Sequence, residues 1–113
     1  MEKTKQCKIT IGIPIYNGEK NLREKINSIL SQDFDDFELI ISDNASTDST
    51  KKICEEFLTK DKRIRFFSHE KNLGANWNFN FILNKACGEY FMWTAADDKI
   101  LPGFYEKNME TLE

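Results

Sequence analysis

Cysteine and histidine are scarce in this 113-residue sequence, and their scarcity excludes several classes of protein. The three cysteines, Cys7, Cys54 and Cys87, are widely spaced and form no CxxC pair, so neither a disulfide framework nor a zinc site is expected. We interpret them as reduced packing residues. The one histidine, His69, lies between a predicted strand and a charged loop, and we predict a surface residue rather than a member of a catalytic triad.

Long apolar runs and an excess of positive charge are also missing. No stretch is apolar enough to span a membrane, and the N-terminal segment MEKTKQCK lacks the apolar core of a signal peptide. The formal net charge of −3 argues against a general nucleic-acid binder, which needs a basic face for phosphates. With 40% hydrophobic residues the chain can build one compact core. Because neither a membrane span nor a signal peptide is recognisable, we predict a cytoplasmic protein. A position at the inner face of the membrane is left open.

Strands and helices alternate along the sequence. Periodicity predicts strands at residues 8–15, 37–42, 63–68 and 90–94, and helices at 19–30, from about 53 to 60, at 75–86, and from about Pro102 onwards. Segment 75–86 also alternates like a strand, but its helical spacing is favoured. This order predicts an α/β fold, with a mostly parallel sheet and helices on both faces.

Two predictions concern individual faces of these helices. In the first helix, the apolar residues share one face, and Lys and Glu side chains are expected on the other. Large aromatic side chains near and within the last helix and strand are predicted to be core residues rather than stacking platforms: Trp77, Phe79, Phe81 and Trp93.

Polar clusters follow three of the four predicted strands. These clusters are Tyr16-Asn17, Asp43-Asn44-Ala45-Ser46 and Asp97-Asp98. Ligands of parallel sheets bind outside the carboxyl ends of the strands, so the clusters could form one site if their strands are neighbours. Each cluster also has a simpler explanation, because Asp, Asn and Ser are favoured in turns and at helix N-caps.

The residues that carry these clusters resemble a known family. The stretch PIYNGEKNLREKINSILSQDFDDFELIISDNASTDST resembles the opening of the glycosyltransferase family 2 domain, a GT-A fold. The later NLG at 72–74, ACGEYF at 86–91 and the Asp pair before a proline occur in the order and spacing of that family. The resemblance covers residue 9 to about residue 104.

The resemblance implies a site for a nucleotide-sugar donor. It makes Pro14, Tyr16 and Asn17 the wall of the nucleoside pocket, with Glu19 near the ribose and Asp43 accepting a ring N–H of the base. Ser46 and Asp48 would support the site or cap a helix. Asp97, with Asp98, would hold a divalent metal, Mn²⁺ or Mg²⁺, that bridges the diphosphate. The full implied nucleotide-binding set is Pro14, Tyr16, Asn17, Glu19, Asp43, Asn44, Ser46, Asn72, Gly74 and Asp97.

Two positions depart from the family pattern. The usual Asp-x-Asp metal motif would place aspartates at 95 and 97, but residue 95 is Ala95. Where many members have Ala-Arg-Asn, this chain has Asn78-Phe79-Asn80, so no phosphate-facing arginine is expected. Metal binding therefore rests on Asp97 and Asp98, or is weak.

The resemblance also implies a reaction and its partners. We expect sugar transfer from a nucleotide-diphosphate donor, with UDP-sugar as the first choice, to a saccharide or lipid-linked acceptor in cell-surface polysaccharide synthesis. The general base would lie beyond Glu113, so residues 1–113 are expected to form one donor-binding domain, truncated before the acceptor half and inactive alone. A homodimer, and peripheral membrane association through other regions, are left open.

Three other classes of protein share part of this pattern. A non-catalytic nucleotide-binding or scaffolding module would share the fold, and Ala95 favours it. A receiver-like signalling domain would carry an acidic pair after its first strand, where this chain has Tyr16-Asn17. A nucleotidyltransferase would carry a Gly-rich basic loop there, which GIPIYNGEK is not.

Overall fold

The computed structural model describes residues 7–32 and 36–94. The elements, in chain order, are β1 (Cys7–Ile15), α1 (Glu19–Leu30), β2 (Phe37–Asp43), α2 (Thr50–Leu58), β3 (Ile64–Ser68), α3 (Ala75–Lys85) and β4 (Gly88–Trp93). All seven predicted elements in this part of the chain are confirmed, with boundaries within three residues of the predicted ones. The helix predicted from Pro102 lies outside the described residues.

The four strands form one parallel sheet in the order β3-β2-β1-β4. Ile15 at the end of β1 is in register with Asp43 at the end of β2, and Asp43 with Ser68 at the end of β3. On the other side of β1, Gly12 is in register with Trp93. The polar residues that follow β1 and β2 therefore lie side by side at the carboxyl edge, as the site hypothesis requires.

Helices α1 and α2 cover one face of the sheet. The odd-numbered isoleucines of β1 and Leu39 and Ile41 of β2 project to this face, because successive strand residues alternate between faces. They pack against Leu22, Ile26 and Ile29 of α1 and the apolar residues of α2 in one buried cluster. This cluster is the main core of the domain.

Helix α3 covers the opposite face, which confirms the prediction of helices on both sides. An added Cβ at Gly12 would lie 2.9 Å from the side chain of Ile82 and 2.8 Å from that of Phe91, so α3 and β4 approach the sheet closely there. The aromatic prediction was wrong for three residues: Trp77, Phe79 and Trp93 are each more than a third exposed. Trp77 stacks on Phe81, while Trp93 contacts Phe79 and Phe91 edge-on.

Lys25 corrects the prediction for α1. We expected its lysines on the solvent face, but Lys25 is 1% exposed and its Nζ donates to Thr94 Oγ1 at 2.9 Å. The contact joins α1 to the residue that directly follows β4. Of the cysteines, Cys54 lies in the core, where burial raises the pKa of its thiol to about 12. All three cysteines are unpaired with one another, as predicted.

A buried polar network closes the amino end of the sheet. Glu38 of β2 is 7% exposed and accepts hydrogen bonds from Thr10 Oγ1 at 2.6 Å, Arg65 Nη1 at 2.8 Å and the Cys87 N–H at 2.5 Å. Thr10 Oγ1 in turn accepts from the Gly88 N–H at 2.8 Å. One carboxylate thus fixes three strands and the connection from α3 to β4.

We predict that Gly88→Ala destabilises the protein strongly. A Cβ at Gly88 would lie 2.5 Å from the backbone nitrogen of Thr10 and 2.7 Å from the carbonyl carbon of Ile9, and backbone atoms cannot rotate aside. We expect a loss of about 2 kcal/mol or more in the free energy of unfolding, measured by urea denaturation. Gly74→Ala is a useful comparison, because that Cβ would meet no atom within 4 Å but would occupy a φ of 95°. A loss at Gly88 no greater than the backbone-strain loss at Gly74 would contradict the prediction.

Candidate functional site

The topology itself marks a binding position. The chain runs outward from β1 through β2 to β3 and then returns to the other side of β1 to form β4. In open parallel sheets, ligands bind outside the carboxyl ends of the strands at such a reversal. The residues that follow β1, β2 and β4 are therefore the ones to consider as a site.

The turn after β1 is fixed by the turn after β2. Asn17 has a φ of 50°, a left-handed conformation that asparagine tolerates better than most residues. Its N–H donates to Ser46 Oγ at 2.7 Å, and its Oδ1 accepts from the Thr47 N–H at 2.8 Å. The Gly18 N–H donates to Thr50 Oγ1 at 3.0 Å. These bonds bring the first two polar clusters into direct contact, as the sequence predicted for the case in which β1 and β2 are neighbours.

Asp43 is the buried acid of this site. It is 1% exposed, and its Oδ1 accepts both the N–H and the hydroxyl of Ser46. Ala45, with a φ of 69°, forms the strained turn that directs Ser46 back to Asp43. Within the described residues, Oδ2 of Asp43 has no hydrogen-bond partner. A buried carboxylate oxygen in that state is costly unless a ligand or water donates to it.

Asn44 holds the loop that precedes α3. Its Oδ1 accepts the Leu73 N–H at 2.9 Å and its Nδ2 donates to the Gly74 carbonyl at 3.1 Å. Asn72 Oδ1 accepts the Gly74 N–H at 2.9 Å. The side chains of Asn44 and Asn72 thus bond to backbone groups of this loop, which begins α3 at Gly74 with a φ of 95°. The structure brings these three predicted site residues together as one loop anchor.

Glu19 and Asp48 join the first turns of α1 and α2. Glu19 Oε1 accepts the Ser49 N–H at 2.8 Å, and Asp48 Oδ2 accepts the Glu19 N–H at 3.3 Å. Asp48 Oδ1 also accepts the Thr50 N–H at 2.9 Å, and hydrogen bonds to the charged form lower the pKa of Asp48 despite its desolvation. The two carboxylates satisfy N–H groups that a helix start leaves without partners. Asp48 therefore occupies a capping position, which is one of its two predicted roles.

A pocket of about 450 Å³ opens beside β1. Its described lining residues run from Pro14 to Gly18, together with Lys20 and Asn21. This volume lies in the range of small-ligand sites. Tyr16, 51% exposed, presents its ring at the rim. Pro14, Tyr16 and Asn17, predicted from the resemblance as a pocket wall, do line a pocket.

A cluster of Ser42, His69 and Asn78 lies next to Asp43 and was not predicted from the sequence. Ser42 Oγ donates to Asn78 Oδ1, the Asn78 Nδ2 donates to the Ser42 carbonyl at 2.9 Å, and His69 Nε2 lies 2.7 Å from Ser42 Oγ. The His69 ring contacts those of Trp77 and Phe81 edge-on, with centroids 4.8 and 4.5 Å away. His69 is half-buried, so the prediction of a surface residue missed these contacts. Its position directly after a strand, three residues before the NLG at 72–74, gave no indication of them.

The third predicted cluster, Asp97-Asp98, lies outside the described residues, as does Ala95. What the structure does describe is Thr94, whose N–H donates to the Gly12 carbonyl at 3.0 Å, so that the chain leaves β4 at the same edge. Across residues 7–32 and 36–94, no group of three His, Cys, Asp or Glu side chains could hold a metal ion. In the same part of the chain, no helix has the length and apolarity needed to cross a membrane.

Comparison with known proteins assigns the family. The family model for Glycosyl transferase family 2 matches residues 10–113. This chain belongs to glycosyltransferase family 2. Among curated relatives, the GalNAc(5)-diNAcBac-PP-undecaprenol beta-1,3-glucosyltransferase of Campylobacter jejuni is 36% identical over 97 residues, which are 85% of this chain and 31% of the relative. Glycosyltransferase GlyG of Streptococcus pneumoniae is 35% identical over 98 residues, or 87% of this chain and 33% of the relative.

Solved structures of GT-A glycosyltransferases confirm the fold. Staphylococcus aureus TarS, residues 1–349 in complex with UDP-GlcNAc, superposes with a TM-score of 0.83 at 31% identity, over 91% of this chain and 30% of that one. The mannosyltransferase PcManGT of Pyrobaculum calidifontis, in complex with GDP-Man and Mn²⁺, has a TM-score of 0.74 at 24% identity, over 86% of this chain and 30% of that one. The second likeness supports the fold alone. The family 2 chain described here spans about a third of the length of these relatives.

Proposed function

We propose that this chain binds the nucleoside diphosphate part of a sugar donor, with UDP-sugar as the preferred donor, for transfer of the sugar to an acceptor. The observation that carries the proposal is Asp43, buried at the carboxyl edge with one oxygen held by Ser46 and the other without a described partner. Membership of family 2 and the likeness to TarS, solved with UDP-GlcNAc, support it.

The base is recognised through the free oxygen of Asp43. A uracil ring presents an N–H where cytosine presents a lone pair, so a carboxylate that can only accept favours uracil. Pro14, Tyr16 and Asn17 would form the wall beside the nucleoside, because they line the pocket at this edge. Glu19, Asn44, Ser46, Asn72 and Gly74 hold that wall and the neighbouring loop in place, and contact the nucleotide only where their polar atoms remain accessible.

The diphosphate would be bound through a divalent cation, Mn²⁺ or Mg²⁺. Hard cations take oxygen ligands, and Asp97 and Asp98 supply carboxylate oxygens three and four residues after Thr94. Such an ion would neutralise the charge that develops on the departing diphosphate.

The acceptor and the general base belong to the same proposal. The Campylobacter relative is named for a lipid-linked oligosaccharide acceptor, and we propose a saccharide or lipid-linked acceptor for this protein as well. Proton transfer from the acceptor hydroxyl needs a base within hydrogen-bond reach. We propose that this base lies outside residues 1–113, in a region that the longer relatives possess, and that the protein works in the cytoplasm.

The direct test is calorimetry with UDP, in the presence of Mn²⁺ and in EDTA. We expect saturable binding that weakens when the metal is removed. UMP and then uridine should bind progressively less well than UDP, because each lacks phosphate oxygens that the cation would contact. Absence of UDP binding under all conditions would overturn the proposal.

The predicted metal role of Asp97 gives a separate expectation. Asp97→Ala should abolish the metal-dependent part of UDP affinity, about tenfold or more, because a charge-assisted contact is lost while the sheet is untouched. Glu55→Ala is the matched control, since Glu55 is an exposed carboxylate on α2. If Mn²⁺ still raised the UDP affinity of the variant as much as that of the unmodified chain, Asp97 would not belong to the site.

A further inference from the structure

His69 belongs to a hydrogen-bonded cluster in which the position of each proton follows from its partners. The Ser42 carbonyl can only accept, so the atom of Asn78 that faces it at 2.9 Å is the amide nitrogen Nδ2. The amide oxygen Oδ1 therefore faces Ser42 Oγ, and it too can only accept. The single hydroxyl proton of Ser42 is used in that bond.

Ser42 Oγ consequently has only a lone pair to offer His69. The 2.7 Å contact between His69 Nε2 and Ser42 Oγ requires Nε2 to carry a proton. Neutral His69 is therefore the Nε2–H tautomer, and Nδ1 holds the lone pair. Because Nε2 stays a donor in both charge states, Nδ1 can gain or lose a proton without breaking the cluster.

His69 lies beside the buried acid of the proposed donor site. The His69 N–H donates to the Asp43 carbonyl at 3.0 Å, so the ring follows β3 directly beside the buried acid. Among the described residues, no hydrogen bond is made to Nδ1. Helix α3 faces the ring with Asn78, Trp77 and Phe81, which do not titrate in this range.

Burial and nearby charge shift the pKa of His69 in opposite directions. Partial burial lowers the pKa of His69, whereas the negative charge of Asp43 raises it. On its own segment His69 is followed by Glu70 and Lys71, two exposed residues of opposite charge. The net effect in the free protein is a lowered pKa. Burial thus disfavours the charged ring in the absence of ligand, and a further negative charge placed at this edge would favour it.

We propose that His69 is a positioning residue whose Nδ1 takes up a proton when a nucleoside diphosphate binds, so that donor binding is coupled to pH. The inference rests on the proposed function. A nucleoside diphosphate carries more negative charge near neutral pH than one divalent cation neutralises, so its binding adds net negative charge to the carboxyl edge, and the field of that charge favours the imidazolium. By linkage, protonation of His69 must strengthen binding of the anionic nucleotide by the same factor.

The test uses the fact that His69 is the only histidine in the chain. Nitrogen-15 NMR of the imidazole in the unmodified chain reports its tautomer and its protonation without a variant. We expect the Nε2–H tautomer in the neutral free protein, and a titration of Nδ1 that moves to higher pH when UDP is added. A free chain with the proton on Nδ1, or an unchanged titration with UDP bound, would overturn the inference.

Calorimetry at pH 5.5 and pH 8 supplies the second readout. The matched variant is His69→Gln, whose amide N–H can replace the donor to Ser42 but does not titrate. From pH 8 to pH 5.5, we expect the gain in UDP affinity to be about threefold larger in the unmodified chain than in His69→Gln. Comparison with the variant removes the contribution of the phosphate's own titration, and uridine, which is uncharged, should show no such difference.

The two proposals fail in distinguishable ways. UDP that binds both chains with the same pH dependence would overturn the role of His69 and leave the donor site intact. UDP that binds neither chain at either pH would overturn the proposed function, and the coupling with it.

Discussion

Replacing Glu38 by alanine is expected to cost about 3 kcal/mol of unfolding free energy. The substitution removes the acceptor of the Thr10 hydroxyl and of the Cys87 N–H. Glu38 is only 7% exposed, and each buried donor left without a partner costs roughly 1–3 kcal/mol. The bond to Arg65 adds little, because the Arg65 side chain is 36% exposed and its charge is screened. The measurement is urea denaturation followed by circular dichroism.

Glu38→Gln is the matched control for this substitution. The amide oxygen of glutamine can still accept from Thr10 and Cys87, while its amide nitrogen would face Arg65 Nη1, where the carboxylate now accepts at 2.8 Å. We expect a loss of about 1 kcal/mol, smaller than that of the alanine variant. If both variants lost the same stability, the ion pair with Arg65 would be the main contribution, contrary to the argument. Nucleotide affinity should change little in folded Glu38→Gln, because Glu38 lies at the amino end of the sheet.

Regular alternation made most of the fold predictable from the sequence. Four β-branched or aromatic runs separated by helical patterns leave few arrangements other than a parallel sheet covered on both faces. The strand order could not be predicted from this pattern, because it depends on which strand β4 pairs with. The wrong predictions share a cause: residue type was taken as a guide to burial. Lys25 is buried through its bond to Thr94, and Trp77 is exposed because α3 contacts the sheet through smaller residues.

The site was predictable where it depended on residue type at strand ends, and less so where it depended on partners far apart in the chain. The clusters of Asn17 and Ser46 were predicted to meet if β1 and β2 were neighbouring strands; the two strands pair, and a hydrogen bond joins Asn17 to Ser46. Nothing in the sequence pairs Ser42 with residues 27 and 36 positions away, so the His69 cluster could not be predicted. Asp97 and Asp98 remain predictions, since they lie outside the described residues.

Asp43→Asn is expected to reverse the preference of the site among bases. In the unmodified chain the free carboxylate oxygen accepts a ring N–H, so UDP should bind about tenfold or more tightly than CDP. In the variant, the N–H and hydroxyl of Ser46 still require an acceptor, which fixes the amide oxygen at the position of Oδ1. The amide nitrogen then takes the position of Oδ2. An N–H group there opposes the N–H of uracil but can donate to the lone pair of cytosine.

Calorimetry with UDP and CDP on both chains therefore measures a change in selectivity, which a general loss of stability cannot imitate. We expect UDP affinity to fall about tenfold or more in Asp43→Asn and CDP to bind at least as well as UDP. Ser46→Ala is the control, because it removes one of the two donors to Oδ1 but keeps the carboxylate. It should weaken both nucleotides modestly and leave the preference for UDP unchanged. A ratio of UDP to CDP affinity that is the same in the unmodified chain and in Asp43→Asn would show that the base contacts some other group, and the free oxygen of Asp43 would then need a different explanation.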